Sequence, residues 1–182
     1  MVVDEASGAV RWVESQGGPL VVVPEAVLAA WSGSAGGDES VADYDRACAV
    51  EGLTGVLPVG PSEALVLADE PASTAWLREQ GVFVRWSAAE SEEALLGSAD
   101  AALLAAAWEP EVIWQVPGSV VLFDASWTGE ECRQEEHLRI DLVAGRYAVR
   151  AAYVEPDART WLTLVRLRRL PVHAGADGDA QS

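Results

Sequence analysis

Short apolar runs rich in β-branched residues recur along this chain, and turn-forming residues separate them. Such runs are typical of strands with at least one buried face. The pattern predicts strands at 10–14, 20–23, 55–59, 64–68, 82–86, 111–116, 119–123, 138–142, 147–154 and 161–168. The fold class that we predict is therefore α+β and β-dominated.

Two of the connections predict β-hairpins. Between the runs Val10–Glu14 and Leu20–Val23 lies Ser15–Pro19, which contains two glycines suited to a tight turn. Near the C-terminus, large or charged residues alternate with small apolar ones in 146–153 and 160–168. The segment Glu155–Asp157 between them is a predicted turn.

One amphipathic helix is predicted over about 91–107. Ser91 is suited to cap it, and Glu92 and Glu93 match the positive end of its dipole. Apolar residues at three- and four-residue spacing predict that one stripe packs across a sheet: Leu95, Leu96, Ala99, Ala102, Leu103 and Ala106. Shorter helices are expected at 24–30 and 41–48.

The sequence contains a possible internal repeat. Gly60, Glu70-Pro71 and Trp76-Leu77 match Gly145, Glu155-Pro156 and Trp161-Leu162 at a constant offset. The triplet Trp31-Ser32-Gly33 is echoed by Trp127-Thr128-Gly129, and Trp12 by Trp114. We interpret these matches as two copies of one unit, at about 10–86 and 112–170. Chance matching in a chain rich in alanine and valine is the alternative.

These elements predict one compact domain over residues 1–170. It consists of two pseudo-repeated antiparallel β units, side by side and joined by the amphipathic helix. Residues 171–182 are small and polar, and we expect them to form a flexible tail.

The charge balance bears on the choice of partner. The formal net charge is −17, and all 12 basic residues are arginine. A negative field of this size repels nucleic acid and anionic lipid, and it raises the rate of encounter with a basic protein. We therefore expect no binding to nucleic acid. Acidity that serves solubility alone is the other interpretation.

Several features favour a cytoplasmic location. Cys48 and Cys132 are the only cysteines, and their spacing matches no disulfide framework or zinc motif. The N-terminus is acidic where a signal peptide is basic, and no apolar run reaches the ~20 residues that cross a bilayer. We expect no membrane association.

The sequence offers little for catalysis. It lacks the glycine-rich phosphate loops, the nucleophile elbow and the HExxH zinc motif. His137 follows Cys132 within an acidic segment, but this spacing matches no established site, and a charged loop is the favoured interpretation. We predict no catalytic residue, no metal and no cofactor.

Eight tryptophans accompany only two phenylalanines. Trp12, Trp31, Trp76, Trp114, Trp127 and Trp161 occupy repeat-related places, which favours a role in the core. Trp86 and Trp108 have no counterpart in the repeat. An exposed indole at either position would be a natural anchor for a partner.

The sequence resembles the bacterial immunity protein 21 family. The resemblance depends on three motifs in order, W-x-E-S-x-G-G-P-L, W-x-G and D-Y-x-x-A-C, whose residues here are Trp12, Glu14, Ser15, Gly17, Gly18, Pro19, Trp31, Gly33, Asp43, Tyr44 and Cys48. It implies a non-catalytic inhibitor that binds the toxic domain of a polymorphic toxin encoded nearby. The motif residues look like determinants of the fold.

The candidate toxin-binding residues lie in two acidic clusters: Glu90, Glu92 and Glu93, and Glu130, Glu131, Glu135 and Glu136. A basic nuclease is one possible toxin, and a deaminase or a peptidase are others. Two other classes of function stay open. A ligand-binding or regulatory β-sandwich predicts a closed apolar pocket, and a hydrolase predicts a nucleophile and a carboxylate beside His137.

Overall fold

The apolar runs of the sequence form strands that build two antiparallel sheets. A computed structural model describes residues 9–36, 41–68 and 70–172. Within these ranges the strands are β1 (Trp12–Val13), β2 (Leu20–Pro24), β3 (Thr54–Val59), β4 (Ser62–Leu67), β5 (Thr74–Leu77), β6 (Val82–Ala88), β7 (Val112–Val116), β8 (Val120–Asp124), β9 (His137–Ile140), β10 (Gly145–Asp157) and β11 (Thr160–Arg169). The strand-rich architecture confirms the predicted α+β, β-dominated class.

The strands form one six-stranded and one five-stranded sheet. Sheet I has the order β1-β5-β6-β11-β10-β7, and sheet II has the order β3-β4-β2-β8-β9. Between the sheets lies a core to which both contribute, with Leu20, Leu65 and Leu122 from sheet II and Phe83 and Trp114 from sheet I. The molecule is therefore a β-sandwich at its centre.

Short helices cover the outer faces of both sheets. On sheet I, α2 (Glu92–Gly97) and α3 (Ala99–Ala105) pack against Val84, Leu162 and Leu164. On sheet II, a 3₁₀ helix (Glu25–Ala30) and α1 (Asp43–Cys48) cover Val21 and Phe123. Both faces of β2 and β8 are thus buried, which explains their continuous apolar runs Leu20–Val23 and Val120–Phe123.

The first predicted hairpin is wrong. β1 pairs with β5 in sheet I, whereas β2 lies between β4 and β8 in sheet II. The segment 14–19 crosses from one sheet to the other. The run Leu20–Val23 is fully buried and therefore needs a strand on each side. The two-residue β1 is too short to provide one.

The second predicted hairpin is confirmed, but its turn lies further along the chain. β10 and β11 pair antiparallel, and Asp157 and Thr160 flank a two-residue turn. Asp157 Oδ1 accepts the N–H of Arg159 at 2.8 Å, so Asp157 begins the turn. Pro156 falls where the register shifts, at a place where a missing N–H is tolerated.

The predicted helix over 91–107 is two helices, α2 and α3, which meet at Ser98. Ser91 caps the first as expected, because its Oγ accepts the N–H of Ala94 at 3.1 Å. Ser98 Oγ donates to the Leu95 carbonyl at 2.7 Å, and this bond competes with the helical ladder just after Gly97. The apolar stripe holds across the break, since Leu95, Ala99 and Ala102 are buried.

The structure does not confirm the internal repeat. Gly60 lies in the β3–β4 turn but Gly145 begins β10, and Trp76 lies on β5 but Trp161 on β11, so these matches are not at equivalent places. The echo of Trp12 by Trp114 places both residues on edge strands of sheet I, at its two opposite ends. Each sheet also joins strands from both halves of the chain. We therefore propose that residues 1–170 fold as one domain, and the duplication itself stays a prediction.

One further difference concerns a short strand. β5 was not predicted, because four residues are too few to show a period. The predicted flexible tail lies outside the described residues from 173 onward. Within the described part of the chain, no helix has both the length and the apolar character needed to cross a membrane.

Candidate functional site: the acidic end of the sandwich

Carboxylates are concentrated in the loops at one end of the sandwich. The pairings Leu20↔Asp124, Phe123↔His137 and Thr74↔Arg85 bring the corresponding ends of the strands together within each sheet. The N–H of Glu14, just after β1 of sheet I, donates to Glu136 Oε2, just before β9 of sheet II, at 2.8 Å. The two sheets therefore share this end.

We call this region the acidic end. Its carboxylate residues are Glu14, Glu70, Glu90, Glu92, Glu93, Asp124, Glu130, Glu131, Glu135, Glu136, Glu155 and Asp157. Arg133 and Arg159 are exposed there as well. Towards the opposite end lie Arg78, Arg139, Arg146 and Arg169, and with them Glu25, Glu63, Glu79 and Asp141. Arg139 pairs with Glu25 and Asp141, so positive and negative groups roughly balance there and the excess of negative charge lies at the acidic end.

Both predicted toxin-binding clusters lie at the acidic end. Glu90, Glu92 and Glu93 follow β6 of sheet I, and the cluster from 130 to 136 joins β8 to β9 of sheet II. Glu90 Oε1 lies 2.6 Å from Arg159 Nη1, but both side chains are largely exposed. An ion pair of this kind contributes little to stability and leaves its carboxylate accessible.

The second cluster surrounds an open cleft of about 370 Å³. Trp127, Thr128 and Gln134 line this cleft together with Glu130, Glu131 and Glu135. Thr128 and Glu131 bond reciprocally: the Thr128 N–H donates to Glu131 Oε2 at 2.9 Å, and the Glu131 N–H donates to Thr128 Oγ1 at 3.1 Å. These two bonds fix the backbone at the start of the short 3₁₀ helix Glu131–Arg133 and the position of the Glu131 side chain.

A buried aspartate organises the loops beneath the cleft. Asp124 is 2% exposed, and its Oδ2 accepts the N–H of Gln16 at 2.6 Å. Its Oδ1 accepts the N–H and the hydroxyl of Ser126. The carbonyl of the next residue, Ala125, accepts the indole N–H of Trp31 at 3.1 Å. The sequence analysis did not predict this role for Asp124. An acidic residue directly after a buried strand is nevertheless a signal that the sequence contains.

Most of the family motif residues converge on the same loops. A Cβ on Gly33 would lie 2.5 Å from the backbone carbon of Trp127, and one on Gly18 would lie 2.5 Å from the hydroxyl of Tyr44. Asp43 Oδ2 accepts the N–H of Ser32 at 2.8 Å, and Ser32 Oγ accepts the N–H of Asp43 at 3.0 Å. These contacts support the interpretation of the motif as a determinant of the fold.

The remaining motif residues also make local contacts. Ser15 Oγ donates to the Gly18 carbonyl and accepts the N–H of Gly17, whose φ is +115°. The Pro19 carbonyl accepts the N–H of Ala125. A hydrogen bond with Cys48, whose side chain is exposed, raises the pKa of Tyr44.

The sequence analysis considered Trp86 and Trp108 as exposed anchors for a partner. Both are half-buried in the structure. Trp86 packs edge-on against Trp12, with ring centroids 5.4 Å apart. Trp108 lies under the guanidinium of Arg166, whose central carbon is 4.4 Å from the ring centroid. Both indoles close the rim of the apolar layer between sheet I and its helices. Trp127 lines the cleft at the acidic end. Trp161, which pairs with Ala88 at the start of β11, is 39% exposed at the same end, so the core role predicted for Trp161 is wrong.

Cys132 and His137 line one small cleft of about 170 Å³, together with Glu25, Arg133 and Arg139. Cys132 is fully buried, and its thiol donates to the Gly129 carbonyl at 3.3 Å. Burial raises the pKa of this thiol, and the charge of Arg133 offsets the effect only in part. Burial and a raised pKa are typical of a structural cysteine, whereas a reactive cysteine has a lowered pKa. Among residues 9–36, 41–68 and 70–172, no group of three or more metal-ligating side chains comes together.

Tryptophan is enriched at protein–protein interfaces, and the carboxylates around Trp127 occupy the positions that charged groups take at the rim of such an interface. The family model described as Immunity protein 21 matches residues 11–160, and the chain belongs to this family. The match confirms the resemblance seen in the sequence, and the family name denotes immunity proteins of toxin–immunity systems. No curated protein and no solved structure matches the chain.

Proposed function

We propose that the protein binds and neutralises the toxic domain of a cognate polymorphic toxin in the cytoplasm of the producing cell. Membership of the Immunity protein 21 family supports an immunity role. The protein acts by occupying a surface of the toxin, without turnover of a substrate. The observation that carries the proposal is the concentration of exposed carboxylates at the acidic end, around the open cleft beside Trp127.

The chemistry of this surface favours a basic partner. Glu130 and Glu135 are exposed at the cleft, and the half-buried Trp127 offers apolar area among them. Lysine and arginine side chains of a toxin meet carboxylates at the rim and an aromatic anchor near the centre. A nuclease presents such a basic surface to nucleic acid, and the acidic end imitates the charge of that substrate.

Co-expression tests the immunity role directly. The toxin domain encoded in the neighbouring gene is expressed with and without this protein, and growth and co-purification are scored. The proposal predicts rescue of growth and a stable complex. A toxin whose lethality persists when the protein is abundant would contradict it.

The binding surface is tested by a matched pair of variants. Glu130→Gln/Glu135→Gln removes two charges from the cleft, and Glu79→Gln/Asp100→Asn removes two exposed charges elsewhere. Electrostatic steering predicts that the first variant associates with the toxin about tenfold more slowly at low salt, with little loss at high salt. An equal slowing in both variants would show that net charge alone matters and would remove the cleft as the binding site.

The nature of the toxin is tested by competition. If the toxin is a nuclease whose active site is covered, short duplex DNA competes with this protein for the toxin. Simultaneous binding of DNA and this protein would show that the acidic end does not mimic the substrate.

A further inference from the structure

A second depression at the acidic end lies between the two sheets. It has a volume of about 220 Å³, and Leu53, Glu70, Ser87, Tyr153 and Thr163 line it. We call it the Thr163 pocket. It does not include any residue of the cleft beside Trp127, so the two are separate features of the same surface.

The pocket lies beside a row of polar side chains in sheet I. Register places Tyr153 opposite Thr163, Thr163 opposite Arg85, and Arg85 opposite Thr74. Arg85 is fully buried, and it donates to Thr74 Oγ1 and to the Glu70 carbonyl, each at 3.2 Å. The guanidinium of Arg85 is therefore held within the protein by groups of β5 and of the loop before it.

Thr163 is the unusual member of the row. Its side chain is 1% exposed, and its hydroxyl has no hydrogen-bond partner among the residues that the structure describes. A buried hydroxyl without a partner destabilises a fold, and a valine of the same shape avoids that cost. Thr163 lines the pocket, but its Oγ1 is closed to solvent, so a ligand supplies the missing partner only when the side chains above Oγ1 move aside.

The rim of the pocket is aromatic and negative. Tyr153 is 45% exposed, and its hydroxyl donates to Glu155 Oε1 at 3.1 Å. Desolvation and the nearby carboxylates raise the pKa of Tyr153, so the phenol remains a donor to Glu155. Glu70 is exposed on the same rim. A cation entering here meets carboxylate oxygens and the face of an aromatic ring.

We propose that the Thr163 pocket receives one arginine side chain of the protein partner. A guanidinium is planar, carries only donors, stacks on tyrosine and bonds to carboxylates. One of its N–H groups reaches Thr163 Oγ1, while Glu70 and Glu155 balance its charge. The inference rests on the proposed function for the identity of the partner, but the pocket is tested without a toxin.

The test uses NMR on the full chain labelled at threonine methyl groups and tyrosine rings. The probe is N-acetyl-arginine amide, and the controls are the neutral isostere N-acetyl-citrulline amide and inorganic phosphate at equal ionic strength. The arginine probe is expected to shift the signals of Thr163 and Tyr153 in a saturable manner. No saturable shift, an equal response to citrulline, or a response to phosphate instead would overturn the inference.

Two variants locate the binding within the pocket. Thr163→Val removes only the hydroxyl and is expected to weaken the arginine probe about fivefold while the melting temperature stays the same or rises. Glu70→Gln is expected to weaken it as well, whereas Glu79→Gln leaves it unchanged. Unaltered affinity in Thr163→Val would exclude the hydroxyl as a contact. If the protein fails to rescue growth but still binds the arginine probe, the immunity role is contradicted and arginine binding in the Thr163 pocket is still supported.

Discussion

Gln16 donates its backbone N–H to the buried carboxylate of Asp124 at 2.6 Å, and this bond ties the crossover between the sheets to the end of β8. Asp124 also binds both donors of Ser126. One side chain thus satisfies donors from two loops that carry the acidic end. The loops depend on it for their positions relative to each other.

We predict that Asp124→Ala lowers the free energy of unfolding by about 3 kcal/mol, because it leaves several donors in a protected environment without an acceptor. Urea denaturation at neutral pH measures the effect. Asp100→Ala, at an exposed position in α3, is the control and should change little. Equal stability of the two variants would show that Asp124 does not organise these loops.

A second prediction concerns the contact between Gly33 and Trp127. Gly33 has φ +56°, and a Cβ there would lie 2.5 Å from the Trp127 backbone carbon. Gly33→Ala is therefore expected to cost about 2 kcal/mol or more, because a rigid main chain blocks the new methyl group. Gly97→Ala is the matched control, since nothing lies within 4 Å of its Cβ position at the end of α2. Thermal denaturation should show that Gly97→Ala leaves the melting temperature unchanged or raises it slightly.

The sequence predicts those strands that can be recognised from residues close together in the chain. β2, β8 and β11 consist of apolar or alternating residues, and the β10–β11 hairpin closes over two turn residues, so near neighbours determine each of them. The partner of β1 is β5, more than sixty positions further along the chain, and only packing between the sheets selects it. The local sequence pattern therefore led to the wrong prediction that β1 and β2 form a hairpin.

The site was predictable only in part for the same reason. The acidic clusters are visible as charge in the sequence, but their meeting at one end depends on strand directions that only the paired sheets establish. Tyr153, Thr163 and Arg85 become neighbours through register across three strands. The β10–β11 hairpin pairs Tyr153 with Thr163 locally, but Arg85 lies more than sixty positions away and no sequence motif includes it.

Thiol chemistry gives a third prediction. Cys48 is exposed, whereas Cys132 is fully buried and its pKa is raised by burial. At any pH below that raised pKa, Cys132 has less thiolate than an ordinary cysteine, so alkylation of the native protein should show one fast and one slow reaction. Cys48→Ser should abolish the fast reaction and leave the slow one. Rapid modification of Cys132 in the native state would reopen the hydrolase interpretation.

The final prediction concerns Trp127 as the anchor of the cleft. Its indole is half-buried and lies among Glu130, Glu131 and Glu135, which suits an aromatic hot spot surrounded by charges that steer the partner. Trp127→Ala is expected to weaken binding of the toxin by about 2 kcal/mol, mainly through faster dissociation, whereas loss of the carboxylates slows association. Ile113→Ala removes another partly exposed apolar side chain, on the edge strand β7, and should leave both rates unchanged. Surface plasmon resonance at two salt concentrations separates the two effects. If Trp127→Ala and Ile113→Ala dissociate at the same rate, the toxin does not contact this cleft.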